Sequence, residues 1–470
     1  MKKNCFIVNV LIAIQIILFT PVLCQAFEFD IVPVNPIMTI PFILLLLAIA
    51  FIPLINVHFW EKFYPMISII LGLIAVFYYV AILKNPLRML GSGMEYFGFI
   101  SLIGSLFVVS GGININIRKE GTPLFNTFLL GLGSILANII GTTGASMVLI
   151  RPFININKSK IKPYHIVFFI YLISNVGGML TPIGDPPLFI GYLKGIPFFW
   201  IFDKVVFIWF LAVMVLLVLF YIIEKIYYKD TEVMTNSNDE KLPLITGKHN
   251  ITFLIIIIIA VFLPEIIREI IMIAAALLSY YTTKNEIHRR NEFNFRPINE
   301  VAILFAGIFA TMVPALDWLD LNAAKFGLTR PDQFYWITGT LSSFLDNTPT
   351  YLSFLTTAFG LHGLNVDNIN HMYAMLGLVD ANELKNIVLA HNSDVVAITS
   401  NSWRYIQAIS AGAVMFGAMT YIGNGPNFMV KSIAEQSNIT MPTFMGYMLK
   451  YSIPVLIPLF IIIWFLFFHV

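Results

Sequence analysis

Residues 178–189 read Gly-Met-Leu-Thr-Pro-Ile-Gly-Asp-Pro-Pro-Leu-Phe, and residues 417–428 read Gly-Ala-Met-Thr-Tyr-Ile-Gly-Asn-Gly-Pro-Asn-Phe. Six of the twelve positions coincide: Gly178/Gly417, Thr181/Thr420, Ile183/Ile422, Gly184/Gly423, Pro187/Pro426 and Phe189/Phe428. Each stretch interrupts an apolar segment, 165–197 in one case and 403–436 in the other. Neither Gly184-Asp185-Pro186-Pro187 nor Gly423-Asn424-Gly425-Pro426 can continue a helix, because proline removes a donor and clashes with the preceding turn. Each copy also follows a second interrupted segment, 122–153 or 332–358, with a polar centre. That centre is Gly141-Thr142-Thr143-Gly144 in the first and Asp346-Asn347-Thr348-Pro349 in the second. Matched Gly/Pro interruptions in two halves of an apolar chain point to the binding site of a secondary transporter.

The composition agrees. Hydrophobic residues make up 58% of the 470 and charged residues 11%, where soluble domains carry about 25% charged residues. So few charges cannot cover a soluble globule, which excludes a soluble enzyme. A net charge of +2 offers no basic stripe for a phosphate backbone, which excludes nucleic acid as a partner. No catalytic activity and no cofactor are expected. Uninterrupted runs long enough to cross about 30 Å of hydrocarbon lie near 38–57, 66–84, 96–115, 201–224, 299–316 and 446–468. Two shorter runs, 251–263 and 267–283, flank Pro264. Residues 1–26, with Lys2, Lys3 and an apolar run from Phe6 to Phe19, read either as a signal peptide or as an uncleaved first helix. Both cysteines, Cys5 and Cys24, fall there, so the body has no disulfide framework.

Lysines and arginines set the orientation. With 122–153 and 332–358 as re-entrant hairpins, fourteen basic residues fall in the inner loops and six in the outer ones. The first hairpin then opens from the cytoplasm and the second from the exterior. The expected fold is an all-α polytopic membrane protein of about 10–11 transmembrane helices. It has two inverted repeats, 38–224 and 251–470, each with one re-entrant hairpin and one broken helix. Residues 225–250 form a cytoplasmic linker and 359–402 an external loop.

Asp185 and Asp346 occupy the break regions, one in each half, without a lysine or arginine beside them in sequence. An ionised Asp at mid-bilayer costs about 2.5–3.5 kcal/mol on insertion scales, so each is expected to hold a proton or a cation. A carboxylate that holds one or the other, never both, is the simplest antiport device. Oxygens of Thr142, Thr143, Ser146, Ser174, Asn175, Thr181, Asn347, Thr348, Thr420, Asn424 and Asn427 complete the candidate shell for a hard cation. The breaks at Gly184, Pro186, Pro187, Gly423, Gly425 and Pro426 free backbone carbonyls and amides beside them. Such Ser, Thr and Asn side chains also serve simply to bond neighbouring helices, and Asp185 has an alternative reading as the N-cap of the helix that follows it. Glu95, Glu300 and His165 read as interfacial. Arg151 reads as snorkelling to the cytoplasmic face, and Glu265, Arg268 and Glu269 as a structural ion network.

Ser174-Asn175-Val176-Gly177-Gly178 with Thr181-Pro182-Ile183-Gly184-Asp185-Pro186-Pro187 resembles the broken helix of the ion transporter superfamily. So do Tyr421-Ile422-Gly423-Asn424-Gly425-Pro426-Asn427 and Asp346-Asn347-Thr348-Pro349-Thr350. The superfamily includes NhaD-type sodium/proton antiporters, arsenite permeases and citrate or dicarboxylate carriers, and the chain is most similar to the NhaD-like branch over about residues 38–468. The resemblance implies an elevator-type carrier, usually a homodimer, in which hairpins and broken helices move against a scaffold. It matches the antiporters' essential membrane aspartate to Asp346, followed by Asn347, and so places Na⁺ there. Carboxylate carriers of the superfamily have Ser-Asn-Thr at both hairpin tips. Here the tips are Gly141-Thr142-Thr143 and Asp346-Asn347-Thr348, and the added negative charge disfavours citrate. The expectation is a bacterial inner-membrane Na⁺(Li⁺)/H⁺ antiporter. Its principal exchange carboxylate would be Asp346 and its second Asp185. A citrate-like carrier, an arsenite permease and a non-transporting membrane sensor are the rival readings.

Overall fold

A computed structural model of the chain describes residues 32–117, 120–228, 245–379 and 396–469. The segment 1–26, most of the linker 225–250 and residues 380–395 of the external loop therefore lie outside the described residues. The protein is all-α. The only strand pairing among the described residues is two residues long, Asn114–Ile115 with Ile245–Thr246.

The chain opens with α1 (Ile40–Ile55), α2 (Val57–Phe77) and α3 (Pro86–Gly111). The first hairpin is α4 (Pro123–Ile156), and the first broken helix is α5 (Pro163–Leu172) and α6 (Pro186–Leu193), joined through a 3₁₀ turn at Val176–Leu180. After α7 (Phe198–Tyr227) come α8 (His249–Ala260), α9 (Ile267–Thr282), the short α10 (Asn285–Arg290) and α11 (Arg296–Asn322). The second hairpin is α12 (Pro331–Ser342) with α13 (Asn347–Leu361), and α14 (Ile369–Leu376) follows. The second broken helix is α15 (Trp403–Phe416) and α16 (Gly425–Gln436), and α17 (Phe444–Tyr447) runs through a π turn into α18 (Ile453–Ile463). Proline begins α3, α4, α5, α6 and α12, where its missing N–H costs nothing and its fixed φ suits the first turn.

Eight helices among the described residues are long and apolar enough to cross a membrane, and the protein is a multi-pass membrane protein. The sequence count of ten or eleven crossings includes the arms of 12 to 16 residues, such as α8, α9 and α15, each too short to span about 30 Å alone. Ile43, Leu44, Leu47 and Phe51 on α1 and Phe207, Phe210 and Met214 on α7 are exposed, as lipid-facing side chains are. Elsewhere small residues bring helices together: a Cβ on Gly307 of α11 would stand 2.8 Å from the Ser68 carbonyl oxygen of α2, the close approach typical of helices packed in lipid.

Both interrupted segments double back. Gly141 has φ 77° and ψ 154°, a conformation only glycine adopts readily. Beyond it the chain returns so closely that a Cβ on Gly133 would meet Leu149 at 2.9 Å. At the base of this hairpin Gly121 N–H donates to the Ile156 carbonyl at 2.8 Å, and the amides of Asn126 and Asn157 bond each other. In the second hairpin the rings of Phe334 and Phe354, on opposite arms, lie 6.3 Å apart.

The two sequence repeats fold alike. Thr181 Oγ1 accepts from Gly184 N–H at 3.1 Å and donates to the Asn138 carbonyl of the first hairpin at 2.6 Å. Its counterpart Thr420 accepts from Gly423 N–H at 3.1 Å and donates to the Ser343 carbonyl of the second hairpin at 2.5 Å. The repeated glycines are explained by contact: a Cβ on Gly184 would lie 2.0 Å from the Gly178 oxygen, and one on Gly423 2.6 Å from the Gly417 oxygen. Gly184→Ala and Gly423→Ala are expected to cost about 1–3 kcal/mol or more through overpacking against backbone. Gly93→Ala, inside α3 with nothing within 4 Å, is expected to keep stability or raise it by about 0.5–1 kcal/mol. Thermal unfolding of the detergent-purified variants, followed by size-exclusion recovery, checks the contrast.

Candidate functional site

The hairpin–break contacts made by Thr181 and Thr420 align Thr142 of the first tip with Asn347 of the second, and Asp185 of the first break with Asn424 of the second. These four side chains converge. Asp185 is fully buried. Its Oδ1 accepts from Thr142 Oγ1 at 2.9 Å and from Asn424 Nδ2 at 2.9 Å, and its Oδ2 accepts from Asn347 Nδ2 at 2.6 Å. Asp185 (φ −136°, ψ 141°) and Asn424 (φ −152°, ψ 140°) share an extended backbone at the N-cap positions of α6 and α16, and neither side chain caps its own helix. The alternative reading of Asp185 as a simple cap is therefore excluded: its carboxylate is turned inward, onto side chains from three other elements.

The carboxylate that caps is the other one. Asp346 is half-buried, accepts from Thr348 N–H at 3.0 Å, and through its carbonyl accepts from Thr350 Oγ1 at 2.9 Å. It is the N-cap of α13 and sets Asn347 and Thr348 in place. Thr348 Oγ1 lies 3.4 Å from Asn347 Oδ1.

Further hydrogen bonds hold these four side chains from behind. Asn424 Nδ2 also donates to the Ser174 carbonyl at 3.0 Å, and Ser174 Oγ lies 2.9 Å from Ser146 Oγ. Asn175 Nδ2 donates to Asn427 Oδ1 at 2.7 Å, tying one broken helix to the other, while Asn427 Nδ2 donates to the Gly417 and Thr420 carbonyls at 2.8 and 2.9 Å. Thr143 stands apart from these bonds. It lines, with Gly141, Thr142 and Gly184, a cavity of about 20 Å³ beside the first tip that is otherwise walled by apolar side chains such as Leu106 and Phe189. That volume holds about one water and is far below the 300–1,000 Å³ of usual small-molecule pockets.

The freed backbone is less available than the sequence suggests. Gly177 O accepts from Asn138 Nδ2 at 2.6 Å and from Trp209 Nε1 at 2.9 Å, Leu180 N–H donates to Asn138 Oδ1 at 2.8 Å, and Gly184 O accepts from Thr142 N–H at 2.8 Å. Pro186 starts α6 and Pro426 lies in the first turn of α16, where proline forfeits no helical bond. Buried backbone groups must be paired, and here Asn138, Trp209 and the Thr142 amide pair them. Sequence reasoning missed Asn138 and Trp209, although Asn138 lies three residues before the Gly141 tip.

Two of the residues read as interfacial are paired, His165 in the interior and Glu95 half-buried, while Glu300 is half-buried. His165 Nε2 is 2.9 Å from Glu224 Oε2, both 1% exposed, because the base of the first hairpin packs α5 against α7. Glu95 accepts from Lys194 Nζ at 2.6 Å. Arg151 reaches Glu292 at 2.7 Å, and Arg268 Nε reaches Glu269 at 2.7 Å, the latter within the structural network expected there.

Two hairpin tips meeting two broken helices around one buried carboxylate define a carrier of the secondary-transporter class. A family model described as "Putative citrate transport" matches residues 32–468, and the chain belongs to that family of the ion transporter superfamily. No curated protein matches the chain. Because asparagine caps as well as aspartate and alanine does not, Asp346→Asn is expected to keep wild-type stability. Asp346→Ala is expected to lose about 1 kcal/mol. Thermal melts of the two variants side by side check it.

Proposed function

We propose that the protein is a bacterial inner-membrane antiporter that exports Na⁺ or Li⁺ in exchange for protons, with Asp185 as the carboxylate that holds either ion. The observation that carries this reading is the set of partners of Asp185: a buried carboxylate whose three bonded side chains, Thr142, Asn347 and Asn424, are all neutral. An uncompensated charge at that depth is costly, so a proton or a metal cation completes the site. When a cation binds, a half-turn of each terminal amide replaces Nδ2 by Oδ1, and Thr142 presents a lone pair. The result is an oxygen shell of the kind hard cations take. When a proton binds, the carboxyl O–H has Thr142 Oγ1 within reach as acceptor. The two states exclude each other, which couples the fluxes. Asp346, half-buried and adjacent to Asn347, is the second carboxylate and the step between the site and the second hairpin's side. One proton exchanged for one cation on a single carboxylate moves no net charge, so the pH gradient is the drive: each pH unit supplies about 1.4 kcal/mol, enough for about a tenfold Na⁺ ratio.

The family description favours a second reading, an organic-anion carrier. In this arrangement citrate would have to displace Asp185 from the three donors it occupies, and none of those donors is cationic. The test is dequenching of a ΔpH-sensitive dye in everted vesicles on addition of NaCl, LiCl, KCl or citrate. A Na⁺ and Li⁺ response that disappears in Asp185→Asn is expected. Citrate uptake without a Na⁺ or Li⁺ response overturns the proposal.

A further inference from the structure

A second polar site lies on the short helix α10 and the turn that follows it. Asn285, His288 and Arg289 recur at the three- and four-residue spacing that puts side chains on one helix face. With Glu292 and Phe293 they line an open cleft of about 490 Å³. That volume falls within the range of about 300–1,000 Å³ of usual small-molecule pockets, whereas the cavity beside the first hairpin tip holds one water. One wall of the cleft is aromatic: the His288 ring lies 5.1 Å from Phe293 and 5.2 Å from Tyr280.

The arginines around the cleft are matched by acids with one exception. Arg290 pairs with Glu286 one turn away, Arg151 of the first hairpin with Glu292 at 2.7 Å, and Arg296 with Glu61 at 2.9 Å. Arg289 is exposed, and its guanidinium bonds no acid among the described residues. Lys284, just before α10, adds a further exposed positive charge. Arg151 keeps Nη1 buried without a partner. Glu292 stands where glycine is usual. Phe293 N–H donates to the His288 carbonyl at 2.8 Å and Glu292 N–H to the Arg289 carbonyl at 3.0 Å, the two bonds of a Schellman ending, whose left-handed residue is commonly glycine. Glu292 adopts φ 45°, a strained conformation for a residue with a side chain. Strain of this kind collects at functional sites, and here it sets a carboxylate on Arg151 beside the cleft.

We propose that this cleft binds a phosphate ester, with Arg289 and Asn285 holding the phosphate and the rings of His288 and Phe293 packing against the organic part. The class follows from the donors. A planar guanidinium meets phosphate oxygens two at a time, and the Asn285 amide, one turn earlier, adds a neutral donor. Burial lowers His288, so its ring is neutral near pH 7 and Arg289 supplies the charge. Glu292 is the competing carboxylate: it repels an anion in the cleft and occupies Arg151. An anionic phospholipid headgroup and a soluble phosphate ester share this chemistry. The site is independent of the solute that Asp185 exchanges.

The experiment is thermal unfolding of the full chain in detergent, titrated with glycerol 3-phosphate in one arm and phosphatidylglycerol in the other. KCl and phosphatidylcholine are the references. A ligand that binds the folded chain raises the unfolding temperature, and the concentration it needs reports its affinity. A rise with glycerol 3-phosphate assigns a soluble ester, and a rise with phosphatidylglycerol alone assigns a lipid headgroup. In either arm Arg289→Gln is expected to need about tenfold more ligand or beyond, the factor that a hydrogen bond to a charged group contributes. Glu292→Gln, which removes the competing carboxylate and frees Arg151, is expected to need less ligand than wild type. Arg296→Gln makes the same change of charge at an arginine that Glu61 already holds, and it is expected to respond as wild type does. No rise above the references in wild type overturns the proposal, and so does an Arg289→Gln response equal to that of wild type. No transported cation enters this measurement, so a failed sodium response and a failed phosphate site appear in different experiments.

Discussion

The carboxylate of Asp185 organises the structure around it. A carboxylate taken fully out of water needs partners on both oxygens, and it receives one from each hairpin tip and one from the opposite broken helix. Those three bonds are possible only if both helices break at the same place and both hairpins stop there. The breaks in turn expose backbone that lipid cannot solvate. Asn138, Trp209, Thr181, Thr420 and Asn427 meet that need, each bonding a carbonyl or amide at a break. An unmade bond at such a position costs about 1–3 kcal/mol, so the polar shell around the site is also what makes the broken helices tolerable.

The two halves are alike in position and unlike in charge. Thr181 and Thr420 make the same pair of bonds, and Asp185 and Asn424 share one backbone conformation. Yet the first break ends in a carboxylate and the second in an amide. Two carboxylates facing each other there would repel. One carboxylate and one amide bond directly, and the pair carries a single negative charge. The tips differ in the opposite sense. Where the second hairpin has the capping Asp346, the first has Gly141, whose positive φ makes the turn without a cap.

Much of this was legible in the chain. Apolar runs separated by basic loops show a multi-pass protein, because hydrocarbon admits little else. The doubled Gly-Thr-Gly-Pro pattern shows where two helices break, because proline and glycine act on their own local backbone. The turn at Gly141 and the polar tips were legible for the same reason. The two-residue strand pair, the burial of His165 against Glu224 and the tie of Lys194 to Glu95 were not. They join residues far apart in sequence, and nothing local distinguishes a buried histidine or lysine from an interfacial one.

The division between the two aspartates shows where sequence stops. By itself the chain determined that Asp185 and Asp346 stand at interruptions, one in each half, without a neighbouring cation, since that depends only on residue order and helix propensity. Only the tertiary structure decided that Asp346 caps its own helix while Asp185 faces the centre. The reason is physical: the partners of Asp185 lie 43, 162 and 239 positions away. Their amides and hydroxyl reach it only once four elements have packed at one point.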